Sequence, residues 1–340
     1  MKRLIGVILL TGILSFCISH GVYGNPTEDQ MDQELALAVE QYYKQTAFKT
    51  LSLNSSDVVH YGYLRRKASG RPVNTLLVYI NGSGYQSAFG LKEGDRWIQA
   101  GNPVGFMKGL FPDYDILVPE KINITIGGDH SRDTRVISAY TLENRVRAAA
   151  AVIDAILDRT DYPRVFILGI SEGAYILPRI YQTLRHKSVV SALVIWGAGG
   201  MSQYEEFKLL AVSGVPMGPA MKKGYKDLES VVSDIKAHPD AINKEYFGFP
   251  YKRWASFLWY SPIDDLVAIN IPILLLHGTD DICSAVESSR LVESRFKKLG
   301  KRNLTYYEYA GMTHGPETDE ECSRFYLDLV TWLKKHEGNK

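Results

Sequence analysis

The sequence predicts an α/β protein: a mostly parallel, doubly wound sheet carrying a helical cap insertion. Three observations predict it. Short apolar runs of strand length recur along the chain, among them Thr75 to Ile80 (TLLVYI) and the run that opens at Arg164 (RVFIL). Segments with helical periodicity separate these runs, and that alternation implies parallel strands joined by crossover helices. Between Gly200 and Ser261 the alternation breaks into helical pieces and a dense run of aromatic residues. The chain has 340 residues, 45% of them hydrophobic, enough for one large core.

At the N-terminus, Lys2 and Arg3 precede an apolar stretch from Leu4 to Ile18, and Val22-Tyr23-Gly24 supplies a cleavage site. This pattern predicts a signal peptide over residues 1–24 and export to the periplasm or beyond the cell. Lipoprotein anchoring at Cys17 would require a small residue before it, and Phe16 stands there instead. The apolar stretch is short for a spanning helix, and no helix-length apolar run follows residue 20, so no membrane span is expected after cleavage. Residues 25–57 read as a polar, partly helical lead-in. Asp57 to Arg65 alternates like an exposed-edge strand. TLLVYI is apolar throughout, the mark of a strand covered on both faces. Strands follow at Tyr114–Pro119, Val189–Trp196, Ile271–Leu276 and Asn303–Tyr309, with an Ala-rich helix over Thr141–Leu157. The core thus comprises residues 58–200 and 262–337, and the cap residues 201–261. With 39 basic and 38 acidic residues, charge gives no case for a nucleic-acid partner.

The chemistry concentrates in Gly169-Ile170-Ser171-Glu172-Gly173, set between an apolar run and a helical pattern. A serine on a sharp strand-to-helix turn needs small residues on either side, because side chains there would strike the neighbouring strand and helix. Downstream, Ile271 to Leu276 leads into a turn with Asp280 and Asp281. The strand ending at Tyr309 leads into a loop with His314. Serine, acid and histidine, each just past a strand, follow the order of a nucleophilic triad on this kind of sheet.

On these residues the chain resembles the α/β-hydrolase superfamily over roughly residues 58–336, and within it the bacterial dienelactone-hydrolase-like esterases and prolyl-oligopeptidase-like peptidases. The resemblance implies a Ser171–His314–Asp281 triad. The family's HG-x-x-D pattern falls on His277-Gly278-Thr279-Asp280-Asp281 and makes Asp281 the acid, with Asp280 as the alternative. The turn Asn81-Gly82-Ser83-Gly84 stands where the family often has His-Gly. Gly82 and Gly84 let the backbone approach an acyl group, and the N–H groups of Ser83 and Glu172 are the expected oxyanion donors. The rival reading is an ordinary glycine-rich turn.

The expected reaction is two-step acyl transfer on small carboxylic esters or thioesters, needing no cofactor and no metal. The alternatives are a peptidase or aminoacyl-amide hydrolase, and a non-catalytic binding protein on the same fold. The short lead-in leaves no room for the propeller of prolyl-oligopeptidase-like enzymes, which weighs towards esters. Cap aromatics, Trp254 among them, either line the substrate pocket or pack the cap onto the sheet. Cys283 and Cys322, the two cysteines left after cleavage, lie beside the acid and histidine loops and are expected to pair, the alternative being two buried thiols. His277 is expected to orient its turn, the Gly127–His130 stretch to be a solvated loop, and Asp264 and Asp265 to cap a helix or face solvent.

Overall fold

The computed structural model describes residues 33–66, 73–106 and 114–337, so the signal peptide expected over residues 1–24 lies outside the described residues. Eight strands form the main sheet: β1 (Ala47–Ser52), β2 (Val58–Leu64), β3 (Thr75–Ile80), β4 (Asp115–Ile122), β5 (Arg164–Ile170), β6 (Val190–Trp196), β7 (Ile273–Gly278) and β8 (Leu304–Tyr309). Their spatial order is β1-β2-β4-β3-β5-β6-β7-β8. β1 and β2 are antiparallel, as are β2 and β4. All other neighbours are parallel. One expectation needs correcting: β2 is not an edge strand. The lead-in supplies a helix, Gln33–Gln45, and then β1, which pairs with β2 from Val58 to Tyr63 and takes the edge.

Every residue of β3 is buried. Leu76, Val78 and Ile80 face the helices Leu142–Leu157 and Glu172–Thr183. Leu77 and Tyr79 face the other side, where Phe325, Leu329 and Leu333 of the helix Asp319–Lys335 pack. Period-two alternation between two apolar layers explains why TLLVYI has no polar face. Helix starts are set locally. Thr141 Oγ1 accepts from Asn144 N, and Ser202 and Thr318 each open a helix with a capping box.

Between β6 and β7 the chain leaves the sheet and builds five helices, Gln203–Val212, Pro219–Lys226, Leu228–Ala237, Tyr251–Phe257 and Ile263–Val267, with a short hairpin before the fourth. This insertion has its own core, in which Phe207, Tyr225, Tyr246 and Trp254 meet.

The turn after β5 holds the tightest packing. A Cβ on Gly173 would lie 2.2 Å from Ile80 O and 2.7 Å from Asn81 O, and one on Gly169 would lie 2.6 Å from backbone atoms of Gly173 and Ala174. Backbone cannot yield as a flexible side chain can. Gly173→Ala is therefore expected to lower unfolding free energy by about 3 kcal/mol or more, near the top of the range for overpacking. Gly214→Ala, with nothing within 4 Å of the new methyl, should stay within about 0.5 kcal/mol. Urea denaturation of the two variants checks the contrast.

Candidate active site

Ser171 sits at the end of β5 with φ 54° and ψ −122°, a left-handed backbone that a non-glycine residue adopts only under constraint. The constraint is visible. Ser171 N donates to Trp196 O at 2.8 Å, and Tyr175 N donates to Ser171 O at 2.9 Å, fixing the turn to β6 on one side and the following helix on the other. The turn from Asn81 to Gly84 lies against it, since a Cβ on Gly82 would be 3.3 Å from Ser171 Cβ and 3.9 Å from its Oγ. The backbone N–H groups of Ser83 and Glu172 have no hydrogen-bond acceptor among the described residues. Both are left as donors at the mouth of this turn.

The Glu172 side chain points the other way and is buried in a charged cluster. Arg145 Nε meets one carboxylate oxygen at 2.9 Å and Arg253 Nη2 the other at 2.8 Å. Tyr140 OH donates to the same carboxylate. Burial works against the charge, and the two guanidiniums outweigh it, holding the Glu172 carboxyl below its ordinary range. The cluster also holds the glycine turn: Arg145 Nη2 donates to Asn81 O at 2.7 Å, and Gly84 N donates to Tyr140 OH at 3.1 Å.

His314 and Asp281 are paired, with Nδ1 and Oδ2 2.7 Å apart. Asp281 is buried. Its Oδ1 accepts from Cys283 N at 2.7 Å and Ser284 N at 3.0 Å, and its Oδ2 also lies 3.1 Å from His277 Nε2. Burial opposes its charge, but the facing His314 and the hydrogen bonds from His277 and His314 keep its pKa well below the usual carboxylate range. Burial lowers the His314 pKa, yet Asp281 overcomes this by charge and hydrogen bond and raises it above its ordinary value. Asp280 bonds Thr279 Oγ1 and does not reach the imidazole.

His314 is seated by the end of β6. Its carbonyl accepts from Trp196 Nε1 at 3.1 Å, and a Cβ on Gly197 would lie 3.0 Å from its Cε1. Ser171 hangs from the carbonyl of that same Trp196, so one strand end positions both residues. Ser171 Oγ makes no hydrogen bond to His314 in this structure. Such contacts are often long without substrate.

A cavity of about 720 Å³ opens beside His314, walled by Met217, Met221 and Phe247 of the insertion and by Ile282 and Cys283 of the acid loop. Asp280 and Glu317 also line it. A second cavity, about 390 Å³, adjoins the turn and includes Ser83 and Gly84. Two expectations are corrected here. Trp254 is not a pocket residue: it is buried in the insertion's core, its Nε1 donating to Tyr246 O at 2.6 Å and its ring against Phe207 and Phe249. Nor do Cys283 and Cys322 pair. Cys283 is a free thiol on the cavity wall, whereas Cys322 is fully buried in the core. Neighbouring loops do not bring side chains together when one points inward and the other outward.

His277 is buried beneath its loop, His130 bonds Thr125, and Asp265 pairs with Arg179. Donor atoms of Asp281, Cys283 and His314 lie within 4.8 Å of one another, the one such cluster among the described residues. The pocket residues Met217, in the loop before the second insertion helix, and Met221, on that helix, carry no pattern in the sequence that singles them out. Nor does the charge of Arg253 give any sign of its burial.

The strand order, a strained serine after β5, an acid after β7 and a histidine after β8 together decide the architecture. This is the α/β-hydrolase fold. The fold expected from the sequence holds. Acylaminoacyl peptidase from Pyrococcus horikoshii superposes with a TM-score of 0.54 at 14% identity, over 87% of this chain and 42% of that one. An esterase of Pyrococcus furiosus superposes with a TM-score of 0.55 at 13% identity, over 93% and 96%. In sequence, the chain is 33% identical over 87 residues to the uncharacterized peptidase YtmA of Bacillus subtilis (strain 168), covering 26% of this chain and 33% of that protein. The chain thus spans about a third of that curated relative and about two-fifths of the archaeal peptidase. No protein-family model matches it.

Arg253 is the cluster member supplied by the insertion, its guanidinium walled by Trp254 at 3.9 Å and Phe257 at 4.2 Å. Arg253→Met removes one partner from a buried carboxylate and is expected to destabilise by about 3–5 kcal/mol. Denaturant unfolding measures it, and a loss below about 1 kcal/mol would show the cluster is not a structural tie.

Proposed function

We propose that this chain is a serine hydrolase that acylates Ser171 and resolves the acyl-enzyme with water. The observation that carries the reading is the strained Ser171 turn sharing a strand end with the His314–Asp281 pair. In this mechanism His314 takes the Ser171 proton as Oγ attacks a carbonyl carbon. Asp281 fixes the imidazole with Nδ1 protonated and stabilises its cationic form. The tetrahedral oxyanion is received by the N–H groups of Ser83 and Glu172, each such donor being worth roughly 3 kcal/mol in related sites. His314 then protonates the leaving group, and the same steps run with water as nucleophile.

The acyl donors we propose are small aminoacyl amides or short peptides ahead of simple esters, which reverses the order expected from sequence. Peptidases predominate among the solved relatives. The cavity beside His314 pairs apolar walls with Asp280 and Glu317, a lining suited to a substrate ammonium group. The second reading, a small-ester hydrolase, is favoured by the Pyrococcus furiosus esterase, whose length the chain nearly matches. The same proposal takes the chain to be exported, on the leader pattern of residues 1–24.

Kinetics of four variants test the mechanism. Ser171→Ala and His314→Ala should each lose about 10⁴-fold or more in kcat, with little further loss when combined. Asp281→Asn should lose about 10³- to 10⁴-fold and Asp280→Asn less than about tenfold. As pH falls, kcat/KM should drop through a limb above the ordinary imidazole value of 6.5, because Asp281 favours the protonated imidazole. Full turnover by Ser171→Ala would end the mechanism. The substrate class is read from rate enhancement over the uncatalysed reaction, using aminoacyl anilides with a free amine and aryl esters of equal acyl size. Greater enhancement for the esters restores the ester reading.

A further inference from the structure

Two side chains of the insertion reach past the cavity and grip the acid loop from behind. Glu206, on the helix Gln203–Val212, is 3% exposed. Its Oε2 accepts from Ser284 Oγ at 2.9 Å, while its Oε1 has no hydrogen-bond partner among the described residues. Tyr225, on the next helix, donates its hydroxyl to Ile282 O at 2.5 Å. Ser284 is where the grip meets the triad. Its backbone N–H donates to Asp281 Oδ1 at 3.0 Å, and its carbonyl lies 3.0 Å from His277 Nε2. That nitrogen faces two acceptors, Ser284 O and Asp281 Oδ2, so it carries a proton and donates. His277 Nδ1 meets Ser289 Oγ at 2.6 Å, which fixes the ring from the far side.

We infer that Glu206 is a positioning residue for the Asp281–His314 pair, through which the insertion holds the acid loop and sets the charge behind the catalytic imidazole. The inference rests on the acyl-transfer reading above. Glu206 touches neither the cavity nor Ser171, so it acts through Ser284 and through its field. The groups that face it come from every element packed around it: His277 on β7, Asp281 and Ser284 on the acid loop, Ser288 on the helix after it, His314 beyond, and Tyr175 and Tyr225.

Burial, opposed by hydrogen bonds and by His277 and reinforced by the Asp281 charge, pushes the Glu206 carboxyl up to about 7. It therefore titrates near neutral pH, and the imidazole it faces is held above its ordinary value. An ionised Glu206 raises the pKa of His314. As pH falls, protonating one group makes protonating the other harder, so the acid limb of the wild-type enzyme is a broad coupled titration.

The test compares wild-type protein with Glu206→Gln, which keeps the shape and an acceptor oxygen for Ser284 but removes the charge. Imidazole ¹⁵N NMR reads the His314 titration directly, whether or not a substrate is known. The expected result is a His314 pKa lowered by about half a unit or more, with a narrower curve. The acid limb of kcat/KM should move to lower pH with it, and KM should hold. Ser284→Ala combined with Tyr225→Phe removes both grips while leaving the backbone bonds to Asp281, and should lower kcat about tenfold with KM near wild type. If Glu206→Gln fails to fold, the titration of the Ser284→Ala, Tyr225→Phe protein carries the test, because the same loss of support should shift it. A His314 titration unchanged in every folded variant overturns the inference, as does a rise in KM with kcat held. A shifted titration in a protein with no turnover would leave the positioning role standing and remove the acyl-transfer reading instead.

Discussion

The Glu172 carboxylate is the tie on which the rest of the site depends. It follows Ser171 directly, so its backbone belongs to the same turn while its side chain runs into the interior. There it binds Arg145 of the core and Arg253 of the insertion, both buried, and Tyr140. Arg145 and Tyr140 in turn hold the two ends of the Asn81–Gly84 turn. One ionised group therefore sets the spacing between Ser171, the turn opposite it and the insertion above. A neutral apolar contact of the same volume would pack as well but would not fix direction, because dispersion has no preferred orientation and charge-assisted hydrogen bonds do.

A second tie works on the other side of the site. Asp281 takes donors from two backbone amides and two imidazoles, which saturates its oxygens and leaves the carboxylate no reason to rotate. The insertion supports this loop too, through Glu206 and Tyr225. It contributes cavity walls and, in addition, contacts to both halves of the site: Arg253 to the Ser171 side and Glu206 to the Asp281 side.

Much of this was legible in the sequence, for definite reasons. TLLVYI declared a strand covered on both faces because no residue in it tolerates water. Gly169 and Gly173 declared the turn because only hydrogen fits where backbone atoms stand 2.2–2.6 Å from a would-be methyl. Asp281 could be ranked above Asp280 from the position of the acid in the HG-x-x-D pattern. What was hidden depended on direction. Trp254 sits in an aromatic run near the site yet turns into the insertion's own core. Cys283 and Cys322 border neighbouring loops, but one faces the cavity and the other the core. Glu206 follows Glu205, which completes a capping box with Ser202, so the pair reads as helix-start charge on a wet surface. Only tertiary packing shows that the second glutamate is buried. β2 seemed to alternate like an edge strand because the strand that covers it comes from a lead-in with little apolar pattern of its own.

The central claim is that Ser171, the two free backbone N–H groups and the His314–Asp281 pair form one acyl-transfer site. The structure of a covalent phosphonate adduct tests it most directly, since the tetrahedral phosphorus reproduces the geometry of the intermediate. The account predicts phosphorus bonded to Ser171 Oγ, with one phosphoryl oxygen about 3 Å from both the Ser83 and Glu172 nitrogens and His314 Nε2 turned towards Oγ. Phosphorus on another side chain, or on Ser171 with that oxygen directed away from both nitrogens, would contradict it.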